Sequence, residues 1–148
     1  MPQSLAQVYL HTVFSTKNRS PLISKEMQSE LYGYIGAVCK TNGLVPVKFG
    51  GVEDHVHLLF GMSRTLTIAK AVETIKTSSS KWAKETIHEN FAWQTGYGVF
   101  GVSYRELDSV IAYVSNQESH HQKVSYQDEF RVLLREHGMN IDETYLWD

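Results

Sequence analysis

The chain alternates between two spacings of its hydrophobic residues, one typical of β-strands and one typical of α-helices. Runs rich in β-branched and aromatic residues predict four strands, at residues 5–14, 44–49, 52–62 and 93–103. Apolar residues that recur every three or four positions predict four helices, at residues 24–42, 106–118 and 125–137 and from Thr65 or Thr67 to Glu89. The pair Gly50-Gly51 predicts a turn between the second and third strands.

These elements follow one another in the order β-α-β-β-α-β-α-α. Four strands with two crossover helices predict an α+β fold, a ferredoxin-like sandwich in which helices pack on a four-stranded antiparallel sheet. The sequence contains no internal repeat, low-complexity stretch or linker. We therefore expect one domain over residues 1–148, which is long enough to form its own core.

Composition narrows the class of protein. The chain is 42% hydrophobic and 20% charged, which is ordinary for a soluble domain. Its net charge of −2 argues against a protein that coats nucleic acid without specificity, but leaves room for a local basic surface. The single cysteine, Cys39, excludes a disulfide framework and a cysteine-based zinc site. No signal pattern or membrane-spanning run is present, so we expect a cytoplasmic protein without a membrane partner.

Two histidines, His55 and His57, flank Val56 in the third predicted strand. Strand side chains alternate between faces, so the two imidazoles point the same way, roughly 7 Å apart along the strand. They are either a metal-binding pair or two buried histidines satisfied by hydrogen bonds, and the motif alone leaves both interpretations open.

A second pair, Tyr113 and Gln117, is one helical turn apart in the third predicted helix. Both lie on the flank of that helix's apolar stripe, so they are either ordinary boundary residues or a phenol nucleophile and an amide-oxygen ligand. Taken with the histidine pair, they indicate a mixed nitrogen and oxygen site suited to Mg²⁺ or Mn²⁺. Such an ion would help a phenolate to displace a 3′-hydroxyl from a phosphate.

Four segments of the chain resemble the single-tyrosine HUH transposases of small bacterial insertion sequences, the IS-two-hundred-like transposases. They are residues 54–59 (DHVHLL), 93–100 (WQTGYGVF), 113–121 (YVSNQESHH) and 11–19 (HTVFSTKNR), in the same order and at matching spacing. One departure is Gly101, where the family's strand pattern has a serine.

The resemblance implies an enzyme that binds hairpins in single-stranded DNA and cleaves and rejoins strands through a 5′-phosphotyrosine intermediate. It implies that Tyr113 is the nucleophile and that His55, His57 and Gln117 hold the divalent metal. It also implies a homodimer, in which the tyrosine helix of one subunit can complete the site of the other.

Basic side chains are candidates for contacts with DNA phosphates. Three of them, Lys70, Lys81 and Lys84, are predicted on the polar face of the second helix, and Lys17, Arg19 and Arg105 add to the candidate surface. Each can equally be an ordinary solvated side chain. His120 and His121 are predicted to be solvated or close to phosphate, and the tail residues Tyr145, Leu146 and Trp147 are expected to need a partner surface.

Two other functions compete with transposition. Ferredoxin-like sheets also bind single-stranded nucleic acid without chemistry, and Tyr97, Phe100 and Tyr104 are the candidate stacking residues, although Tyr97 and Phe100 are predicted on opposite strand faces. A metal-dependent hydrolase of small phosphates would need a base, and the one carboxylate expected nearby, Asp54, is predicted to face away from the metal.

Overall fold

The computed structural model describes residues 3–148 and places helices on both faces of one antiparallel sheet. The strands are β1 (Tyr9–Ser15), β2 (Val45–Val52), β3 (His55–Gly61) and β4 (Gly98–Val102). The helices are α1 (Lys25–Thr41), α2 (Ile68–Thr86), α3 (Leu107–Ser115), α4 (Gln117–His120) and α5 (Tyr126–Glu136). The strand order is β2-β3-β1-β4 with antiparallel neighbours, which confirms the predicted ferredoxin-like α+β sandwich.

The two faces of the sheet have separate cores. Leu10 and Phe14 of β1 point towards the α1 and α2 side, in a cluster with Leu31, Ile35 and Ile75. The alternate residues of β1 point to the opposite side, where Val13 packs in a second cluster that includes Phe100, Phe130 and Leu133. The helices α3 to α5 cover this second face.

The tail also packs on the second face. Leu146 and Trp147 lie against the second core cluster, so the chain itself supplies the surface that these residues were expected to need. Tyr145 remains 76% exposed.

Three helices begin next to the residues at which the sequence predicted their starts. The side chains of Ser24, Thr67 and Ser125 accept hydrogen bonds from the first turns of α1, α2 and α5. Across residues 3–148, the structure has no helix of the length and apolarity that crossing a membrane requires.

Several predicted boundaries were wrong. Strand β1 begins at Tyr9 rather than at residue 5, and β4 is limited to Gly98–Val102. The glycine pair at 50–51 lies inside β2, and the turn falls at residues 53–54 instead. The glycines serve close packing rather than a turn, because a side chain at Gly50 would overlap the carbonyl oxygen of Val114 in α3.

The third predicted helix is also divided. Asn116 ends α3 and Gln117 begins the short helix α4. This break turns the Gln117 side chain inwards, where it is 1% exposed.

Candidate active site

The histidine pair lies on a central strand of the sheet, under the α3 to α5 layer. In the register of β1 and β3, Val13 pairs with His57 and Ser15 pairs with His55. Both histidine side chains are fully buried. The prediction that they share one face of a buried strand is therefore confirmed.

Each histidine of the pair uses its Nδ1 atom to bind a neighbour. His55 Nδ1 lies 2.7 Å from Asp54 Oδ1, and His57 Nδ1 lies 2.8 Å from His11 Nε2. The expectation that Asp54 faces away from the histidines was wrong, because Asp54 belongs to the hairpin turn and not to the regular strand. These contacts leave the Nε2 atoms of His55 and His57 directed towards α4 and α5.

Helix α3 places Tyr113 beside this pair. Its ring centroid lies 5.7 Å from that of His57 and 6.0 Å from that of His11. The approach depends on Gly50, which leaves room for the backbone of α3 one residue after Tyr113. The tyrosine is half-buried and lies in the same chain as the histidines it contacts.

Gln117 reaches the same cluster from α4. Its Oε1 atom lies 3.4 Å from His55 Nε2, and its side-chain amide donates to the carbonyl oxygen of Tyr113 over 3.3 Å. The structure thus brings together all four candidates for nucleophile and metal ligands.

A buried carboxylate at the centre of the cluster was missed from the sequence. Glu129 of α5 is 2% exposed, and its Oε1 atom lies 2.9 Å from His57 Nε2 and 3.3 Å from His55 Nε2. Its Oε2 atom accepts a hydrogen bond from the Tyr113 hydroxyl. The assumption that Asp54 is the sole nearby carboxylate was therefore wrong.

The sequence did hold a signal for Glu129. Tyr126, Phe130, Leu133 and Leu134 form the apolar stripe of α5, and Glu129 falls on the same stripe. A charged residue at such a position is rarely buried unless it has partners.

His121 is the second missed member of the cluster. Its Nε2 atom lies 3.0 Å from Glu129 Oε1, and its Nδ1 atom lies 2.6 Å from the carbonyl oxygen of Val124. Its side chain is 8% exposed, so of the two predicted alternatives the solvated one was wrong, and a position close to phosphate stays a prediction. His120 keeps 31% of its side chain exposed, with its ring 5.5 Å from that of Tyr113.

Burial and charge set the protonation of this cluster. Burial and the nearby charge of Glu129 both raise the pKa of Tyr113. Burial alone would raise the pKa of Glu129, but hydrogen bonds from His121, His55 and His57 outweigh it and hold that pKa well below its usual range. The proton therefore stays on the phenol and the negative charge on the carboxylate.

The two strand histidines have different pKa values, and burial and hydrogen bonds again explain the difference. Burial lowers the pKa of His57 to about 4. Burial also disfavours the charged form of His55, but hydrogen bonds to Asp54 and Glu129 outweigh it and raise its pKa to about 9. Both imidazoles contact Glu129, and the difference follows from the second carboxylate, Asp54, which contacts His55 but not His57.

The cluster has the chemistry of a metal site. One ligand atom from each of His55, His57, His121 and Glu129 lies within 4.8 Å of the others. Imidazole nitrogens and a carboxylate oxygen are common ligands of divalent transition metals, and the amide oxygen of Gln117 adjoins them. The residues present fit a divalent ion.

The candidate DNA-binding residues fall into two groups. Lys81 and Lys84 line a cavity of about 530 Å³ with Lys76 and Trp93, and Lys17 lines an adjoining cavity of about 480 Å³ with Trp93 and Trp147. Arg19 lies over the Trp147 ring at 5.9 Å. We call this surface the edge groove.

Lys70 and Arg105 lie at the other end of the sheet. Lys70 is in the first turn of α2, about 21 Å along the helix from Lys84. Arg105 follows β4, whose last residue, Val102, pairs with Tyr9 at the start of β1.

The edge groove connects to the histidine cluster through Gln94. This buried side chain lies on the groove wall, and its Oε1 atom accepts a hydrogen bond from the Tyr126 hydroxyl over 3.0 Å. The Tyr126 ring lies 4.6 Å from that of His55.

The aromatic residues considered for base stacking do not form one platform. Phe100 is 2% exposed under α5, whereas Tyr97 and Tyr104 are 39% and 75% exposed. The two glycines of β4 have different surroundings. Gly98 lies beneath the Phe130 ring, while a side chain at Gly101 would meet open space. The glycine in place of the family's serine therefore leaves the packing of the sheet unaffected.

Comparison with known proteins gives the chain a family. The family described as "Transposase IS200 like" matches residues 4–117. A comparison with curated proteins found no relative. Among solved structures, a "putative transposase" from Deinococcus radiodurans has 23% sequence identity and a TM-score of 0.64, with 79% of this chain and 98% of that chain covered.

A second solved structure is a REP-associated tyrosine transposase bound to a REP hairpin. It has 12% identity and a TM-score of 0.62, with 84% of this chain and 74% of that chain covered. At these identities the two structures support the fold. The family match covers residues 4–117, which is most of the chain. The chain therefore belongs to the IS200-like transposase family.

Proposed function

We propose that this transposase binds hairpins in single-stranded DNA and cleaves and rejoins strands with Tyr113 as the nucleophile. The observation that carries the proposal is the position of the Tyr113 hydroxyl, which donates to Glu129 within a cluster of buried histidines. A tyrosine on the flank of a helix's apolar stripe has no structural need for such surroundings.

The chemistry is an exchange of phosphodiester bonds. The phenolic oxygen of Tyr113 attacks the scissile phosphorus, and a bond forms between them as the bond from phosphorus to the 3′ oxygen breaks. The leaving oxygen keeps the electron pair and takes up a proton from water, which gives a free 3′-hydroxyl and a 5′-phosphotyrosine. Glu129 Oε2, which already accepts the phenol hydrogen, takes the proton of Tyr113 as the bond to phosphorus forms, because that bond makes the phenolic oxygen less basic. Attack by another 3′-hydroxyl reverses the step and rejoins the strand.

A divalent metal, Mg²⁺ or Mn²⁺, is proposed at His55, His57 and Gln117. When bound, the ion polarises the scissile phosphate and offsets the charge of Glu129. Asp54 and His11 orient the imidazoles of the pair through their Nδ1 atoms, so that each Nε2 faces the site.

The edge groove is the proposed path of the DNA near the site. Lys17, Lys81 and Lys84 supply positive charge there, and the groove adjoins two tryptophans, a combination that suits single strands. Arg19 extends this surface, while Lys70 and Arg105 are proposed to contact DNA at the other end of the sheet. The hairpin bound to the structurally similar REP-associated enzyme supports a hairpin substrate.

We further propose that the protein acts in the cytoplasm as a homodimer. Leu107, Val110 and Ile111 of α3 are only partly buried within one chain, which leaves an apolar flank for a second copy. Within a single chain Tyr113 already reaches the histidine cluster, so the site can assemble in cis, and exchange of α3 would assemble it in trans.

A covalent-adduct assay tests the proposal. Labelled single-stranded DNA from the flanks of the gene is mixed with the protein and Mg²⁺ or Mn²⁺, then separated on a denaturing gel. We expect a shifted band that needs the metal and disappears in Tyr113→Phe, while Tyr104→Phe, at an exposed position, keeps it. If the protein binds hairpins tightly but forms no adduct with DNA from any flank, a binding module is favoured. Cleavage of DNA by Tyr113→Phe would exclude Tyr113 as the nucleophile.

A further inference from the structure

We propose that His121 and Glu129 are metal ligands, so that the α4–α5 region completes the site with a third imidazole nitrogen and a carboxylate oxygen. Both residues lie beyond residues 4–117, the part of the chain that the family match covers. The inference rests on the proposed function, because it concerns the same metal site.

The hydrogen bonds of His121 match those of the strand histidines. A metal-binding histidine usually donates its second ring N–H to a carboxylate, carbonyl or other acceptor, which leaves the opposite nitrogen for the metal. With the ion bound, His55 would do so towards Asp54, His57 towards His11 and His121 towards the carbonyl oxygen of Val124, and each Nε2 would give up its proton to bind the metal. All three therefore present Nε2 to one place.

The three Nε2 atoms point towards the carboxylate of Glu129. The three Nε2 atoms lie 3.3, 2.9 and 3.0 Å from the same atom, Glu129 Oε1, in the order His55, His57 and His121. Three donors that converge on one oxygen have the arrangement of ligands around a centre. A small shift of the carboxylate would let Oε1 become the fourth ligand of an ion held by the three nitrogens.

A cation also accounts for the burial of this carboxylate. Glu129 is 2% exposed on the apolar face of α5, where an uncompensated charge is strongly disfavoured. The three imidazoles supply hydrogen bonds to Glu129 Oε1. A divalent ion held by the same three nitrogens would supply the compensating charge.

The donor set selects the class of metal. Mg²⁺ prefers oxygen ligands in octahedral geometry, whereas imidazole-rich sites suit Zn²⁺, Co²⁺ and other transition ions. Three nitrogens and one oxygen therefore predict tighter binding of Co²⁺ and Zn²⁺ than of Mg²⁺, with Mn²⁺ between them.

Titration of the metal-stripped full chain with Co²⁺ tests the inference without any DNA. We expect one bound ion and a visible ligand-field band of four- or five-coordinate Co²⁺, which excess Mg²⁺ does not displace. His121→Ala and Glu129→Gln should each weaken Co²⁺ binding by at least about tenfold and change the band. The control is His88→Ala, in an exposed loop, which should leave the band unchanged.

Unchanged Co²⁺ affinity and spectrum in His121→Ala and Glu129→Gln, with weaker binding in Gln117→Ala, would overturn the inference and leave the proposed function intact. Circular dichroism of each variant separates ligand loss from unfolding, and Zn²⁺ competition gives a second measure for any variant that is less stable. If Co²⁺ binds as expected but no DNA adduct forms, the metal site stands and the proposed function fails.

Discussion

The Tyr113 hydroxyl donates a hydrogen bond to Glu129 Oε2, which joins helix α3 to helix α5 across the histidine face of the sheet. The same carboxylate accepts from His57 and His121 through its other oxygen. The proton of the proposed nucleophile is thus coupled to the charge that the histidines hold in place.

Glu129→Gln should weaken the Glu129 junction, by which we mean the hydrogen bonds that Glu129 accepts from Tyr113, His57 and His121. The amide is isosteric but carries no charge, so the hydrogen bonds from His57 and His121 lose their ionic character, and we expect the free energy of unfolding to fall by about 1–3 kcal/mol. The pKa of the Tyr113 phenol should fall as well, because the anion that raises it is gone. Urea unfolding and ultraviolet titration of tyrosinate measure the two effects.

Asp128→Asn is the matched control, one residue earlier in α5. Its carboxylate pairs with Arg131 at the surface, so its loss should change stability by no more than about 0.5 kcal/mol. Equal stability of the two variants would contradict a structural role for the Glu129 junction.

Gly50→Ala should displace the nucleophile helix. The new methyl group would overlap the backbone carbonyl of Val114, one residue after Tyr113, and backbone has little freedom to move aside. Overpacking of this kind costs about 1–3 kcal/mol, and we expect reduced adduct formation because Tyr113 moves with α3. Gly101→Ala, which meets open space, should match the wild type in both thermal unfolding and adduct yield. If Gly50→Ala is as stable and active as Gly101→Ala, the packing argument fails.

Local patterns were sufficient to predict the sheet, the four main helical regions and the face shared by His55 and His57. The same patterns could not predict the turn at residues 53–54, because the glycines of β2 serve a contact with α3 that is distant in sequence. His121 and Glu129 were missed for a related reason. Their role appears only when α5 folds back over β3, although the charge of Glu129 on an apolar stripe was a signal that the sequence contained.

The lysines of the edge groove should contribute to DNA affinity through charge. Lys81→Ala with Lys84→Ala is expected to weaken binding of single-stranded DNA and to reduce the slope of log K against log[salt] by about 0.7 for each lost phosphate contact. Fluorescence anisotropy at several salt concentrations measures both. Lys70→Ala, at the opposite end of α2, tests separately whether DNA extends that far. An unchanged salt slope in the double variant would remove the groove from the DNA path.

Acid should destabilise the protein in EDTA through its buried neutral histidines. Burial lowers the pKa of His11 to about 3 and of His57 to about 4, so the unfolded chain takes up protons below pH 6.5 that the folded chain does not. Each group should cost about 2 kcal/mol of stability at pH 5 relative to neutral pH. His55, whose pKa is raised to about 9, acts in the opposite direction, and its contribution is lost as the pH rises from 6.5 through 9.

His11→Asn isolates the part of this pH dependence of stability that comes from His11. The difference between unfolding free energies at pH 7.5 and pH 5 should shrink by about 2 kcal/mol in the variant, because one buried titrating group is gone. Urea unfolding at the two pH values measures it. The same difference in variant and wild type would show that His11 is not held neutral in the folded protein.

The most direct test of the central claim is to identify the residue that becomes joined to DNA. Protein that has reacted with single-stranded DNA from its own flanks is digested with protease and nuclease, and the modified peptide is sequenced by mass spectrometry. The account predicts a nucleotide linked through its 5′ phosphate to Tyr113, in the peptide that contains α3. Linkage to another residue, such as the nearby Tyr126, or cleaved DNA with no linked peptide at all, would contradict it.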